Sequence, residues 1–475
     1  MLHELERTLT MRIREIHTSV GFTNGLGKHD FNTNRIDIIT GANGSGKTVL
    51  LNSILQFFRE KPKSTSFTPS VIYTIDNTNY RDPEEAKPLK LVAQTFSPFS
   101  RFPSPKSIQK SLLESYTTEP LSKIDEYICA GIHRGTRSIG PNLSKSVLEN
   151  SIFRLSESSE YAGALAHALS ILKFSSKLSF KYSSKKNLAD LFSARDRRTA
   201  VRNMITEAIN AVPIGTLARS PLAVEASLSD HLALASLIES AMEQLERTTV
   251  DYRNFKLSFD FNNRHLLDFA TLQSLAFLRK LGFLKIVNCF IGSEQHPGSD
   301  ISYSSSGQQQ ILCSLLSLVS SLSDGAVVLI DEPELSLHPT WQQLYFDILL
   351  ASIAPFKDCH VIVATHSPLI VQRAQNAGAG VIRMGTTTQE VDLKDEKASV
   401  EDALLDIFET PITDSVEMAS KIFDAVTQAE GGTKAERKQA LEKLKRLRHI
   451  YSKGSTRDDK DLAMINDAYR MLSEN

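Results

Sequence analysis

The eight residues Gly41-Ala42-Asn43-Gly44-Ser45-Gly46-Lys47-Thr48 constrain this chain more than any other feature. They fit G-x-x-x-x-G-K-[ST] at every fixed position. Before them, Arg35-Ile36-Asp37-Ile38-Ile39-Thr40 is rich in β-branched residues and predicts a strand. After them, apolar residues recur at helical spacing from Val49 to Phe58. Strand, glycine loop and helix together predict an anion cradle. The glycines free the backbone, and N–H groups at a helix N-terminus can surround a phosphate. On that reading Asn43, Gly44, Ser45 and Gly46 build the cradle. Lys47 reaches the β- and γ-phosphates of ATP, and the Thr48 hydroxyl holds Mg²⁺. Gly25-Leu26-Gly27 also opens a G-x-G, but Asp30 stands where the third glycine belongs, so it reads as a turn.

Far along the chain, Ala326-Val327-Val328-Leu329-Ile330 is a continuous apolar run, the mark of a strand covered on both faces. It ends in Asp331-Glu332. An aspartate at the carboxyl end of a central parallel strand is placed to hold Mg²⁺ beside a phosphate loop. The next residue points the other way, which places Glu332 to polarise an attacking water. A second apolar strand, His360-Val361-Ile362-Val363-Ala364, leads to Thr365-His366-Ser367-Pro368, where His366 can sense a γ-phosphate. Upstream, Ser304-Ser305-Ser306-Gly307-Gln308-Gln309-Gln310 opens an apolar-faced helix. A serine hydroxyl and a glycine N–H at a helix start form a second anion site. Two such sites are redundant for one nucleotide unless the second serves another copy of the chain.

In this order the phosphate loop, Ser305-Ser306-Gly307-Gln308, the strand ending in Asp331-Glu332 and the strand ending in His366 resemble the ABC-type ATPase superfamily. The Ser-Ser-Gly-Gln version is similar to its soluble branch, which includes chromosome-maintenance, recombination-repair and overcoming-lysogenization-type proteins. The resemblance covers the stretch up to about residue 100 and residues 283–385. It implies an α/β head, with a mixed sheet and flanking helices, that dimerises head to head around ATP. Ser305 and Gly307, with Gln308 beside them, would contact the γ-phosphate held by the partner subunit. Leu335-Ser336-Leu337-His338-Pro339 would pass between subunits. Gln94, in Leu91-Val92-Ala93-Gln94-Thr95-Phe96, would be the loop glutamine near Mg²⁺ and the water; it fits equally a surface glutamine after a strand.

The rest of the chain limits the class further. No apolar run approaches membrane-spanning length, and no signal peptide follows the charged N-terminus. Cys129, Cys289, Cys313 and Cys359 show no C-x-x-C spacing, which suits a reducing cytoplasm and argues against zinc. A coiled-coil arm is rejected between Gln94 and Ser305. Pro120, Pro141, Pro213 and Pro221 interrupt that segment, Gly131, Gly135 and Gly140 cluster in it, and no heptad persists. The pattern predicts instead a compact helical lobe, with helical spacing over 224–248 and an alternating strand over Phe255–Phe261. Residues 173–202 are basic, with Phe180 and Tyr182 interleaved. They fit either DNA phosphates or a solvated surface. Residues 434–449 predict a basic amphipathic helix. The divisions are therefore 1–105 and 283–390 for the head, 106–282 for a mainly helical insertion lobe, and 391–475 for a C-terminal helical, partner-binding region.

Overcoming-lysogenization-type nucleases carry a metal nuclease domain after the switch histidine, which needs a D-x-D pair. Here Asp392-Leu393-Lys394-Asp395 has the wrong spacing, and His449 is the only later histidine. An ATPase without its own cutter is expected. The segments Phe96–Phe102 and Glu401–Phe408 are similar to ATPases paired with a separate nuclease in bacterial anti-phage operons. Septu-type systems are the nearest, with a His-Asn-His nuclease partner, and PARIS-type ATPases are a rival. The alternative class is a repair or chromosome-structuring ATPase of the RecF/SMC type acting on DNA without a dedicated nuclease.

Overall fold

The computed structural model describes residues 11–474 apart from 19–20, 24–25, 27–29, 32, 60–68, 76–77, 83–87, 104–126, 133–140, 156–161, 211–219, 249–250, 252, 263–268, 294–297, 385–388, 391–398 and 453–459. The apolar runs singled out above form adjacent strands of one sheet. Its order is Gln389–Glu390, Gly380–Met384, Asn34–Gly41, His360–Ala364, Val327–Asp331, Leu91–Gln94 and Tyr127–Cys129, with Asp30–Phe31 pairing beside Asn34–Gly41. The pairings from Gly380–Met384 through Tyr127–Cys129 are all parallel. Parallel strands need covered faces, which is why these segments are apolar throughout rather than alternating.

Each face has its own cover. On one, the helix Lys47–Arg59 lays Leu50, Leu51, Ile54 and Leu55 against Ile39, Leu329 and Ile362. A small antiparallel sheet of Gly21–Thr23, Met11–Thr18, Ser70–Ile75 and Thr78–Tyr80 closes over that helix through Ile13, Ile16, Val71 and Tyr73. On the other face, the helices Ser306–Val319 and Pro339–Ile353 cover Val328, Ile330, Val361 and Val363. A buried polar link joins the two sheets at the end remote from the glycine loop. His360 Nε2 lies 2.8 Å from Asp37 Oδ2, its Nδ1 accepts from Ile13 N at 3.0 Å, and Arg35 Nε donates to Asp37 at 3.1 Å. Burial pulls the His360 imidazole below its ordinary range, so a neutral ring spans the two sheets.

The insertion lobe departs from the sequence reading. Its helices are present, including Pro141–Leu155, Ala162–Ile171, Arg197–Asn210 and Phe269–Lys280. They pack on a second antiparallel sheet of Asn254–Asp260, Phe174–Ser184, Leu284–Ser293 and Ser299–Asp300. Two boundaries therefore move. Leu284–Ser293, assigned to the head, belongs to the lobe sheet, and Tyr127–Cys129, assigned to the lobe, is a strand of the head. The helical stretch 224–248 is two helices, Pro221–Leu228 and His231–Thr248. Asp230 Oδ1 accepts from the N–H groups of Leu232 and Ala233, starting the second helix anew. Asn254–Asp260 confirms the alternating strand. The C-terminal region is helical as expected: Val416–Gly431, Lys434–Ser452 and Lys460–Glu474 bury their own cluster around Ile422, Leu444, Leu447 and Ile465. Among the described residues no helix is long and apolar enough to cross a membrane.

Candidate functional site

Strand order explains the site. Asn34–Gly41 and Val327–Asp331 flank His360–Ala364, and all three run the same way. Their carboxyl ends deliver Gly41, Asp331 and the approach to His366 to one rim of the sheet, where open α/β sheets bind ligands.

The glycine loop cannot be built from other residues. A Cβ on Gly41 would lie 2.3 Å from the Met384 carbonyl, and Gly44 and Gly46 hold φ of +80° and +95°. The loop passes directly into the helix Lys47–Arg59. Lys47 is buried and folds back over the loop, donating to Gly41 O at 2.9 Å and Ala42 O at 3.1 Å. Burial lowers its ammonium to about 8, with Glu332, Asp331 and Glu334 pulling it back up. Thr48 Oγ1 donates to Asp331, 3.0 Å from Oδ2. Burial pushes the Asp331 carboxyl up to about 7.

Glu332 and His366 meet across the rim, with Glu332 Oε1 3.9 Å from His366 Nε2. Glu332 has φ +49°, an uncommon conformation for a residue with a side chain, and its N–H is held by the Ala364 carbonyl at 2.9 Å. Burial, and then Lys47, hold the His366 imidazole below its ordinary range. Glu334 went unnoticed in the sequence. Its carboxylate accepts from His366 N at 2.5 Å and from Thr365 Oγ1 at 2.8 Å, tying the turn after the acidic strand to the turn after its neighbour. Burial raises its pKa. The signal available was a third acid after Asp331-Glu332-Pro333.

The serine-glycine turn is a separate surface. Ser305 caps the helix Ser306–Val319 in a reciprocal pair with Gln308: Ser305 Oγ accepts from Gln308 N at 3.2 Å, and Gln308 Oε1 accepts from Ser305 N at 3.1 Å. Ser305 and Ser306 are exposed. Gly307 is pressed on the loop after the acidic strand: a Cβ there would lie 2.7 Å from Ser336 O. Ser336 itself has φ +61°. One short loop thus carries Glu332 and Glu334 at the sheet rim and packs on the buried Gly307 behind the exposed Ser305 and Ser306.

Gln94 is not brought to the rim. It is buried, and its amide donates to Ser314 O at 2.8 Å and Ser317 Oγ at 3.1 Å. Strand alternation is the cause. Gln94 is in phase with Val92, which faces the helix Ser306–Val319, whereas Asp331 is in phase with Leu329, which faces the phosphate-loop helix. The expectation that Gln94 lies near Mg²⁺ and the water is therefore replaced by a structural role in the helix contact.

The donor set fits a hard cation. Thr48 and Asp331 offer oxygens side by side, and burial holds the Asp331 carboxyl at about 7 even with the Lys47 ammonium nearby. Among the described residues no cluster of three or more His, Cys, Asp and Glu is arranged to hold a metal. Raising the folded-state pKa of Asp331 above its ordinary 3.8 means that folding favours the protonated form. That contribution is complete below about pH 4 and is lost as pH rises through about 7, at most about 4 kcal/mol. Asp331→Asn is expected to remove this pH slope. The nucleotide-free variant should lose less of its urea midpoint between pH 5 and pH 8 than the parent, the raised Glu334 carboxyl keeping part of the decline.

Residues 235–372 match the profile of the family described as "AAA domain, putative AbiEii toxin, Type IV TA system". That span contains the serine-glycine turn, Asp331, Glu332, Glu334 and His366. No curated protein matches the chain. Among solved structures, the chain aligns with an Smc head domain with an extended coiled coil bound to the C-terminal domain of ScpA, from Pyrococcus furiosus. Identity is 12%, covering 83% of this chain and 97% of that one, with a TM-score of 0.28. A RecF–ATP structure from the RecFOR pathway aligns at 14% identity over 82% of this chain and 100% of that one, with a TM-score of 0.26. Scores this low define no fold; the strand order and the phosphate loop do. They make this chain a phosphate-loop α/β head with a mainly parallel central sheet.

Proposed function

We propose that the chain binds and slowly hydrolyses Mg-ATP in a head-to-head dimer, and that this cycle regulates a separate nuclease in bacterial anti-phage defence. Bound Mg²⁺ would neutralise charge on the β- and γ-phosphates. Lys47 and the loop N–H groups bind and orient the phosphates, and Thr48 with Asp331 holds the cation. Glu332 accepts the proton of the attacking water, and His366 orients the terminal phosphate. Ser305 of the partner subunit, which is exposed, would complete the site, with the backbone N–H of the buried Gly307 behind it.

One observation carries this reading. Glu332, Glu334 and Ser336 belong to one loop whose two ends serve the sheet rim and the outward turn. A change at the terminal phosphate has a short covalent path to the surface a second copy would touch. The nuclease half of the reading rests on the resemblance of Phe96–Phe102 and Glu401–Phe408 to ATPases paired with a separate nuclease, and the C-terminal helices Val416–Gly431, Lys434–Ser452 and Lys460–Glu474 are its proposed docking unit. It is tested by co-expressing the chain with the product of the adjacent reading frame. A His-Asn-His protein that co-purifies and whose cutting changes with ATP supports a Septu-type pair. A Toprim neighbour favours the PARIS-type arrangement. ATP hydrolysis stimulated by DNA, with no co-purifying protein, contradicts both.

A further inference from the structure

The basic stretch 173–202 does not survive as a linear unit. Phe180 and Tyr182 are fully buried, so neither can stack on a base. Arg197 and Arg198 are paired to Glu246 and Glu239 at 2.6 and 3.4 Å. Lys173, Lys185, Arg195 and Arg202 are exposed but lie outside the strand Phe174–Ser184, which itself presents Lys177 and Lys181 on the outer face of the lobe sheet. Two further strands add lysines to that face from outside the stretch. Lys256 lies directly opposite Lys181, and Lys285 opposite Ser183. The shared face is fixed by contacts: Ser179 Oγ and Ser258 Oγ are 2.8 Å apart, and Lys177 Nζ lies 3.5 Å from Asp260.

This arrangement costs stability. Like charges directly opposite one another weaken a sheet. Among the described residues no carboxylate lies within ion-pair distance of Lys181, Lys256 or Lys285. Of the other outward positions, Ser179, Ser183, Asn254, Ser258 and Asn288 are uncharged donors and acceptors, Phe290 is apolar, and Asp260 is the carboxylate paired with Lys177. A sheet face that merely met solvent would gain from alternating signs.

We propose that this face docks the sugar-phosphate backbone of a nucleic-acid duplex. Four residues of strand separate Lys177 from Lys181, about 13 Å. Phosphates advance about 3.4 Å per nucleotide along one strand of B-DNA, so the lysines match roughly four phosphates. Lys256 Nζ sits 4.8 Å over the Phe290 ring and covers it, which removes the stacking platform that a single strand would need. The face reads charge rather than bases, so duplex DNA and duplex RNA share its chemistry. Its lysines are none of the residues of the nucleotide site, and its test does not depend on hydrolysis.

The experiment is fluorescence anisotropy of labelled DNA and RNA duplexes with the full chain, from about 50 to about 200 mM salt. Three to four phosphate contacts give an expected slope of log K against log salt of about −3 to −4. Replacing Lys181, Lys256 and Lys285 together by glutamate is expected to weaken binding roughly 10²–10³-fold near 0.1 M salt and to flatten the slope. Lys256→Glu alone should weaken binding while leaving the unfolding midpoint unchanged or higher, because it places opposite charges face to face. Duplex binding should persist in Lys47→Ala without nucleotide. Weaker binding to one sugar type with the same lysine dependence supports the proposal. Unchanged binding in the triple variant overturns it. So does an equal loss on changing Lys434, Lys438 and Lys445 of the C-terminal region, or the absence of salt-dependent binding in the parent.

Discussion

Replacing Glu332 with glutamine is expected to leave Mg-ATP bound and to lower turnover by about 10²–10⁴-fold. The amide keeps the shape of the side chain and its place beside His366, 3.9 Å away. It cannot accept the proton that an attacking water must lose. At about 1.4 kcal/mol per decade, the loss corresponds to roughly 3–5 kcal/mol of barrier. The strained backbone at Glu332, with φ +49°, is held by the Ala364 carbonyl and does not depend on the carboxylate. The variant should therefore fold as the parent does. Single-turnover phosphate release and equilibrium nucleotide binding separate the two effects. Turnover within a factor of two of the parent contradicts the assignment of Glu332 as base.

The second large effect is expected from Lys47→Ala, and it combines binding with stability. The ammonium is buried among Gly41 O, Ala42 O and three acidic side chains, Asp331, Glu332 and Glu334. Removing it deletes charge-assisted hydrogen bonds to phosphate, each worth about 1.5–3 kcal/mol, so nucleotide affinity should fall by roughly 10–10²-fold. It also leaves three neighbouring carboxyl groups with no cation among them. The nucleotide-free variant should lose about 1–3 kcal/mol in urea unfolding at pH 8. Adding Asp331→Asn should recover part of that stability and none of the nucleotide binding. If stability falls and does not recover in the double variant, the charge-balance explanation fails.

How much of this was legible in the sequence differs from residue to residue. The phosphate loop and the acidic strand were readable because each is local: the chemistry and the fold demand the same contiguous residues. His366 was readable for the same reason, as the residue just past an apolar strand. Gln94 was misread because its position depends on which helix covers which face. Only the assembled sheet reveals that Val92 and Leu329 face opposite ways. Glu334 was overlooked because the left-handed turn at Glu332 redirects the chain, and no periodicity predicts such a turn. The strand Phe174–Ser184 alternates Leu178, Phe180 and Tyr182 with Lys177, Ser179 and Lys181. Its dense charge masks that period of two, so the stretch reads in sequence as a basic surface rather than a strand. The second lobe sheet was missed with it.

The dimer is the claim on which the rest depends, and the Glu332→Gln variant tests it most directly. Its mass in solution should be measured by light scattering with and without Mg-ATP, alongside the same variant carrying Ser305→Arg. ATP should double the mass of the first and leave the second unchanged, because a bulky cation at the exposed turn blocks the partner's triphosphate. A Glu332→Gln protein that binds Mg-ATP and remains a monomer, or one whose doubling survives the arginine, would contradict the proposal that nucleotide is held between two copies.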